Sequence, residues 1–261
     1  MTHSDNNKEV IKVLTVIPNE GHVYCEAYTN RLLNFFALGK LQATQEIKEV
    51  KPRFQFHYTT LARMLTPLAR EEAAKLALEH DMDYLFMIDD DMDCPDDLFQ
   101  RLWANDVDIV APLAFTRNYP HKPVLYKIEE GFDPVTQTPY FFNHWINKYP
   151  RNKLVQCDAV GFGAVLIKRK VLDGVKEPRF MSTNATGEDI LFCHKARKEG
   201  FKVYMDTSIK LGHFSHPIDI TEEYVDKLHA HTKEADDKKN PDYDSTLVSE
   251  PKKLPDILLG E

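Results

Sequence analysis

The chain has 261 residues, of which 43% are apolar and 11% aromatic, and its formal net charge is −8. This length and apolar content support one large domain or two closely packed ones, and exclude a disordered chain. The negative charge argues against non-specific attraction to nucleic acid or to an anionic membrane. The cysteines form no CxxC pair, which predicts free thiols in a reducing compartment; they are Cys25, Cys94, Cys157 and Cys193.

Targeting and membrane signals are missing from the sequence pattern. The first residues contain no apolar segment of the kind found in signal peptides, and no run of about 18 apolar residues occurs. We therefore expect a cytoplasmic protein without a membrane span.

The first elements of the chain alternate between strand and helix. The β-branched run at 13–17 predicts a strand, followed by a loop that opens with Pro18. Residues 28–41 predict a helix that packs on the sheet through Leu32, Leu33, Phe35, Phe36 and Leu38. Residues 54–56 predict a second strand. The next helix is predicted from Thr66, as its N-cap with Pro67 in the first position, to about His80.

Arg70 lies in the first turn of that second predicted helix, where the helix dipole disfavours a cation. Its partner is therefore expected to be an anion. A phosphate group, the acids at 89–91, and Glu71 in an ordinary surface pair all remain open as partners.

The most informative stretch is an apolar run that stops abruptly at a group of acids. Tyr84 to Ile88 reads as a strand buried on both faces, and it is followed by Asp89, Asp90 and Asp91, then by Asp93. In open α/β sheets, ligands bind beyond the carboxyl ends of the strands. Adjacent acids repel one another unless a cation or a donor lies among them. The pattern therefore predicts a metal at this point.

The alternation continues after the acids, with a helix to about Ala104 and a buried strand at 107–111. Repeated strand and helix units favour a mostly parallel sheet with helices on both faces. We therefore predict an α/β, Rossmann-like fold.

From residue 112 onward, prolines and aromatic residues interleave with short extended pieces. Trp145 is a candidate for stacking on a sugar, although aromatic residues that merely cover the sheet edge are a simpler explanation. Gly161 and Gly163 interrupt a strand pattern, which indicates a bulge or a ligand close to the backbone. No phosphate loop is completed around these glycines.

A second acidic group opens a later helix. Gly187, Glu188 and Asp189 begin a helix that should run to about Glu199, and Gly200 should end it. The two acids either complement the helix dipole or carry chemistry. Farther on, His213 follows a strand-like piece, and taken alone it is more typical of a structural histidine.

The chain resembles glycosyltransferases of the GT-A fold in the order of its motifs. These are the acids after a buried strand, the glycine-interrupted strand, the acidic pair and the Gly-His dipeptide. The likeness is to the family 2-like members that carry a DxD motif, and it extends over about residues 13–216. It implies one catalytic domain at 10–216, with a nucleotide-sugar-binding half at 10–111 and a loop-rich acceptor half at 112–216. Residues 217–261 would then form a C-terminal helix and a flexible tail.

The resemblance also implies a role for each candidate residue. Mn²⁺ or Mg²⁺ would be bound by Asp91, Asp89 and His213, with the register among the three acids open by one residue. The nucleotide would contact Asp89 and Asp90, with Arg70 and Pro18 nearby. The remaining assignments are Asp189 as general base, Glu188 as its partner or substitute, and Trp145, Gly161 and Gly163 as acceptor contacts.

The implied activity is metal-dependent transfer of a sugar from a nucleotide-sugar donor, with UDP favoured, to an acceptor hydroxyl. The acceptor class and the stereochemistry stay open. Two alternatives remain, a non-catalytic nucleotide-sugar-binding module and a phosphatase that uses the DxD at Asp91 and Asp93. The apolar residues at 254–259 are a candidate docking segment for the body or a second subunit, so a homo-oligomer also stays open.

Overall fold

The computed structural model describes residues 9–19, 25–132, 134–137, 139–183, 186–215, 218–231 and 247–251. Within these ranges the helices, α1 to α6 in chain order, are Cys25–Ile47, Thr66–Glu79, Leu98–Ala104, Arg169–Gly174, Glu188–Lys198 and Glu222–His231. The strands, β1 to β14, are Val10–Asn19, Arg53–Ala62, Tyr84–Ile88, Met92–Asp93, Ile109–Leu113, Leu125–Phe132, Pro139–Trp145, Leu154–Cys157, Ala159–Val160, Ala164–Lys168, Val203–Lys210, Gly212–Ser215, Ile218–Asp219 and Val248–Ser249.

The main sheet has eight strands in the order β14-β8-β11-β5-β10-β3-β1-β2. Strands β1, β2 and β3 are parallel, as are β5 and β11, whereas β10 is antiparallel to both of its neighbours and β8 is antiparallel to β11 and β14. Only β8 and β10 therefore run against the other six. The predicted α/β fold with a mostly parallel sheet is confirmed.

Helices cover both faces of this sheet. One apolar cluster joins α2, α4 and α5 to one face through side chains such as Ala73, Leu172 and Phe192. A second cluster joins α1 and α3 to the other face through Leu38, Phe99 and their neighbours. Strand β3 lies in the middle and is buried along its whole length, as its sequence predicts.

The predicted packing face of α1 is wrong. Of the five apolar side chains expected to pack on the sheet only Leu38 is buried, whereas Phe36 is 73% exposed and Leu33 52%. Half of the residues on the buried face are instead polar, and the face consists of Ala27, Arg31, Asn34, Leu38, Leu41 and Gln45. These polar groups bond to the chain around β4 and β2, which the apolar pattern of α1 does not indicate.

Two predicted boundaries also differ from the structure. Strand β1 continues to Asn19, so Pro18 is buried within a strand and does not open a loop. Its missing N–H is tolerated because, among the described residues, β1 is paired beside Pro18 only with β2. The N-cap of α2 is Leu65 rather than Thr66, with Pro67 in the first turn as predicted.

Two small sheets complete the described structure. In the half beyond residue 112, β6 forms a long hairpin with β7 and also pairs with β9. The other small sheet has the order β13-β12-β4, and its β4–β12 pair joins the acidic stretch to the segment around His213.

The region after residue 217 contributes to the body of the protein. Val225 of α6 is only 3% exposed and belongs to the main core, and β14 pairs with β8 at the edge of the sheet. The candidate docking segment at 254–259 and most of the predicted tail lie outside the described residues. Among the described helices, none is both long and apolar enough to cross a membrane.

The Gly161-Phe162-Gly163 segment separates β9 from β10, which agrees with the predicted interruption of the strand. A Cβ on Gly161 would lie 2.7 Å from Val124 Cβ, and a Cβ on Gly163 would lie 3.0 Å from the side chain of Met92. Packing already accounts for both glycines. Their contact with an acceptor remains a prediction.

We expect Gly161→Ala to destabilise the protein by about 1–3 kcal/mol, because a methyl group has no room beside Val124. Urea unfolding measures the change. Gly39→Ala is the matched control: it is a helical glycine whose added Cβ would have nothing within 4 Å, so it should gain about 0.5–1 kcal/mol. Val124→Ala should recover part of the loss in the double variant. A neutral Gly161→Ala would contradict the packing explanation.

Candidate active site

Strands β1, β3 and β5 end at the same edge of the sheet, and the acids predicted as a ligand site lie there. Successive residues beyond a strand point in different directions, so the three adjacent acids reach three different partners. Asp89 pairs with Arg70, Asp90 accepts a hydrogen bond from Asn19, and Asp91 contacts His213. Each contact determines what that acid can do.

Arg70 is the buried centre of this edge, with 3% of its surface exposed. Its Nη2 lies 2.9 and 3.0 Å from the two oxygens of Asp89 and 3.1 Å from the carbonyl of Phe162, and its Nη1 lies 2.6 Å from Glu188 Oε1. Of the predicted partners, the acid cluster is therefore correct. Glu71 pairs instead with Arg179, at 3.0 Å.

Charge and burial oppose each other in this cluster. Burial alone would lower the pKa of Arg70, but the carboxylates of Asp89, Glu188 and Asp189 hold it above its ordinary value. Burial raises the pKa of Asp89, and the charges of Asp91 and Glu188 add to that effect, which the attraction of Arg70 only partly offsets. The arrangement is stable only with the guanidinium in place.

Asp90 and Asn19 join the ends of the two neighbouring strands β1 and β3. Asn19 Nδ2 donates to Asp90 Oδ2 at 2.7 Å, and Asn19 is buried. The pair lies in the crevice where open α/β sheets bind their ligands. Pro18, predicted to contact the nucleotide, is buried directly before it.

Asp91 and His213 are brought together by the β4–β12 pairing. His213 Nε2 lies 3.1 Å from Asp91 Oδ2, and Phe214 N donates to the carbonyl of Asp91 at 2.8 Å. On its other side, His213 Nδ1 lies 3.1 Å from the carbonyl of Phe115. Both partners are acceptor oxygens, so the charged imidazole donates from Nδ1 to the Phe115 carbonyl and from Nε2 to Asp91, and a metal bound at Nε2 would take the place of the second proton.

Arg117 forms an ion pair with the same Asp91 Oδ2. Burial alone would raise the pKa of Asp91, but the hydrogen bond from His213 and the charges of His213 and Arg117 hold it below its usual value. Burial would lower the pKa of His213, whereas Asp91 and the Phe115 carbonyl raise it. A single carboxylate oxygen therefore serves two positive groups.

The predicted metal set is divided by this geometry. Asp91 and His213 are adjacent, whereas Asp89 is turned toward Arg70. Across the described ranges, no three side chains of His, Cys, Asp or Glu converge as a set that would hold a metal ion. Among side chains of these four types, the described residues therefore offer two donors, Asp91 and His213, to a cation at this point.

The acidic pair at the start of α5 faces the same edge. Glu188 binds Arg70, and Asp189 Oδ1 accepts a hydrogen bond from the N–H of Ile190 at 2.7 Å. Gly187 leaves room for this side chain, because a Cβ there would lie 2.8 Å from Asp189 Oδ1. Burial raises the pKa of Asp189 to about 6, and the charges of Glu188 and Asp89 contribute. A carboxyl group with such a pKa can take up a proton near neutral pH.

Trp145 lies at the end of β7, 36% exposed, with its ring centroid 5.9 Å from that of Tyr126. The Lys122 ammonium lies 5.3 Å from the Trp145 ring centroid. Tyr126 is near Asp189, since burial and the charge of Asp189 both raise the pKa of Tyr126. The aromatic pair therefore borders the acidic start of α5.

Sequence reasoning missed Arg117, Asn19 and Tyr126 at this site. Arg117 and Tyr126 lie in the segment beyond residue 112, where no local pattern marks a single arginine or tyrosine as special. Asn19 falls where the sequence predicted a loop. Only the pairing of distant segments brings these side chains to the acids.

The fold of this chain is similar to those of several solved structures. The crystal structure of A197 from STIV matches with a TM-score of 0.54 and 20% sequence identity, covering 82% of this chain and 91% of that one. The chain therefore shares its fold with A197. No protein-family model matches the chain, and no curated protein matches it.

Weaker likenesses follow. GalNAc-T7 with UDP, GalNAc and Mn²⁺ has a TM-score of 0.45 at 13% identity, covering 81% of this chain and 45% of that one. UDP-glucose pyrophosphorylase complexed with UDP-glucose has a TM-score of 0.43 at 8% identity, covering 77% of this chain and 92% of that one.

We expect Arg70→Ala to destabilise the protein by about 3–5 kcal/mol at pH 8, because Asp89 and Glu188 would keep their charges without a partner. The loss should shrink as the pH is lowered toward 5, because the pKa of buried Asp89 is already raised and rises further without Arg70, so that this carboxyl takes up a proton. Urea unfolding at the two pH values measures it. Arg101→Ala, which removes a half-buried arginine on α3, is the control and should lose less. An Arg70→Ala deficit equal at both pH values would contradict the charge explanation.

Proposed function

We propose that the protein is a metal-dependent glycosyltransferase of the GT-A type, which moves a sugar from a nucleotide-sugar donor, with UDP favoured, to an acceptor hydroxyl. One observation carries the proposal. A carboxylate–imidazole pair, Asp91 and His213, and a carboxyl group with a pKa of about 6, Asp189, lie at one sheet edge. Arg70 joins the two parts, because it bonds to Asp89 on the one side and to Glu188 on the other.

The donor chemistry of Asp91 and His213 fits a divalent cation. Asp91 supplies a carboxylate oxygen, and His213 supplies a nitrogen whose ring is oriented by the carbonyl of Phe115. A nitrogen beside oxygen donors suits Mn²⁺ as well as Mg²⁺. Such a cation would stabilise the negative charge that develops on the departing diphosphate.

The other two acids serve the site without holding the cation. Asp89 is committed to Arg70, which fixes the end of β3 against α5. Asp90 and Asn19 lie on the side where the nucleoside would enter the crevice, and their hydrogen-bonding groups suit a ribose or a base. This division favours Asp91 over Asp89 and Asp90 as the metal ligand.

Asp189 would act as the general base in this mechanism. Its raised pKa lets it accept the proton of an acceptor hydroxyl as that oxygen attacks the sugar. Glu188 bonds to Arg70, and the charge of Arg70 lowers the pKa of Asp189 and so partly offsets the effect of burial. Trp145, beside Tyr126, supplies the apolar surface on which an acceptor sugar could stack.

The proposal is tested by a thermal-shift screen of nucleoside diphosphates and nucleotide sugars with and without Mn²⁺, because a ligand that binds the native state raises Tm. Release of nucleoside diphosphate from the donor separates a transferase from a binding module. Release of phosphate from simple esters would favour the phosphatase instead. A chain that binds none of these compounds contradicts the proposal.

We expect Asp91→Asn to weaken Mn²⁺-dependent donor binding about tenfold or more, since the variant loses a charged metal ligand. Isothermal titration measures it. Asp93→Asn is the matched control, two residues away, where the carboxylate accepts a hydrogen bond from Asn30 at 2.8 Å. It should bind the donor normally. The DxD phosphatase would need both acids, so equal losses in the two variants would count against the transferase.

We expect Asp189→Asn to reduce transfer by about 10²–10⁴-fold while donor affinity stays unchanged, because the base acts after binding. In the wild-type protein, kcat should fall as the pH drops through about 6, where Asp189 becomes protonated. Steady-state kinetics across pH 5–8 measure both effects. A wild-type acidic limb that persists in Asp189→Asn would assign the titration to another group.

The same substitution should raise stability. Because folding raises the pKa of Asp189 from 3.8 to about 6, its contribution to stability is complete below about pH 4 and is lost as the pH rises through 6. The free energy of unfolding of Asp189→Asn should therefore exceed that of the wild type by about 3 kcal/mol at pH 8, and by little at pH 4. The control Asp206→Asn should destabilise, because Asp206 accepts hydrogen bonds from Asn105 and Ser208. If Asp189→Asn were less stable than the wild type at pH 8, the raised pKa of Asp189 would be contradicted.

A further inference from the structure

The segment from Ala114 to Val124 joins β5 to β6 and contributes two groups to the Asp91 carboxylate. The carbonyl of Phe115 holds His213 Nδ1, and Arg117, two residues later, pairs with Asp91 Oδ2. One loop therefore both orients the predicted metal-binding histidine and supplies a cation to the predicted metal-binding acid. No pattern in the sequence assigns Arg117 a role.

The backbone beside Arg117 is held by hydrogen bonds, whereas the Arg117 side chain is accessible. Thr116 N donates to the carbonyl of Lys122 at 2.9 Å, and Lys122 N donates to Thr116 Oγ1 at 3.0 Å. The Arg117 side chain itself is 43% exposed. It can therefore change partners without rearrangement of the loop or loss of the Phe115–His213 contact.

Asp91 Oδ2 faces His213 Nε2 at 3.1 Å and also accepts from Arg117. A divalent cation held by that oxygen and that nitrogen would lie beside the guanidinium. The positive charges of the guanidinium and the cation would repel each other strongly, because the site is partly buried and water screens them only in part. Arg117 and the cation therefore compete for Asp91.

A guanidinium displaced from Asp91 needs another anion, and the neighbouring acids are engaged: Asp90 with Asn19 and Asp89 with Arg70. The diphosphate of a donor would lie against the cation at Asp91. Arginine binds phosphate oxygens with its two-pronged fork, and such charge-assisted bonds are strong.

We propose, on the basis of the function proposed above, that Arg117 is a switching cation of the site. It holds Asp91 in competition with the divalent metal, and it moves to the diphosphate of the nucleotide sugar when metal and donor bind together. The nucleotide-sugar diphosphate thus gains a contact beyond the metal. Arg117 weakens binding of the metal alone and strengthens binding of the diphosphate.

The test is a pair of titrations on the full chain, with Mn²⁺ alone and then with UDP at saturating Mn²⁺. Removal of Arg117 should move the two affinities in opposite directions. In Arg117→Ala, Mn²⁺ should bind several-fold more tightly, because a competitor and its repulsion are gone. UDP should bind about tenfold or more weakly, because a charged hydrogen-bond donor is lost.

Two further variants keep the result interpretable. Arg117→Lys keeps the charge but not the fork, so Mn²⁺ affinity should stay near that of the wild type while UDP affinity falls in part. Arg169→Ala removes the same charge from α4, where Arg169 pairs with Asp81, and should change neither affinity. Circular dichroism and Tm confirm that each variant is folded.

The outcomes separate the two proposals. If the wild type binds neither Mn²⁺ nor UDP, the proposed function fails, and the role of Arg117 fails with it. If the wild type binds both and Arg117→Ala changes neither affinity, only the switching role is overturned. A fall in both affinities also overturns it, because Arg117 would then support the metal site and not compete for it.

Discussion

The buried guanidinium of Arg70 is the interaction on which the candidate site depends. It joins α2 to the end of β3 through Asp89, to α5 through Glu188, and to the break between β9 and β10 through the carbonyl of Phe162. Glu71, the next residue in α2, fixes the chain ahead of α5 by accepting from Arg179 and from the N–H of Phe180. Two neighbouring side chains of one helix therefore set the position of the acidic start of α5.

This arrangement collects carboxylates at one edge at a cost in free energy. Apart from burial, the charges of Asp91 and Glu188 raise the pKa of Asp89, and the charges of Glu188 and Asp89 raise the pKa of Asp189. Arg70, Arg117 and His213 supply the compensating positive charge. For Asp89 and Asp189 this compensation is incomplete, and burial raises the pKa of Asp189 to about 6. Buried acids with raised pKa values are typical of a functional site.

The sequence was sufficient for features that depend on local pattern. The buried strand β3, the start of α5 at Glu188 and its end before Gly200 were all predictable, because uniform apolarity, acids in a first turn and a glycine with positive φ are local signals. The packing face of α1 was not predictable from these signals. Arg31 and Asn34 are buried there because they bond to the chain around β4, about 60 residues away.

Long-range pairing also explains what was missed at the site. The contact between Asp91 and His213 follows from the register of β4 with β12, and the position of Arg117 follows from the path of the loop after β5. Neither has a local signal, because β4 has two residues and the loop is irregular. The resemblance implied a metal site of Asp91, Asp89 and His213, with the register among the three adjacent acids open by one residue. Geometry shows instead that each of the three acids has its own cationic or amide partner, and that of the three Asp91 is the one that contacts the imidazole of His213. The chemistry of the site therefore depends less on the number of acids in the motif than on which of them is left to face His213.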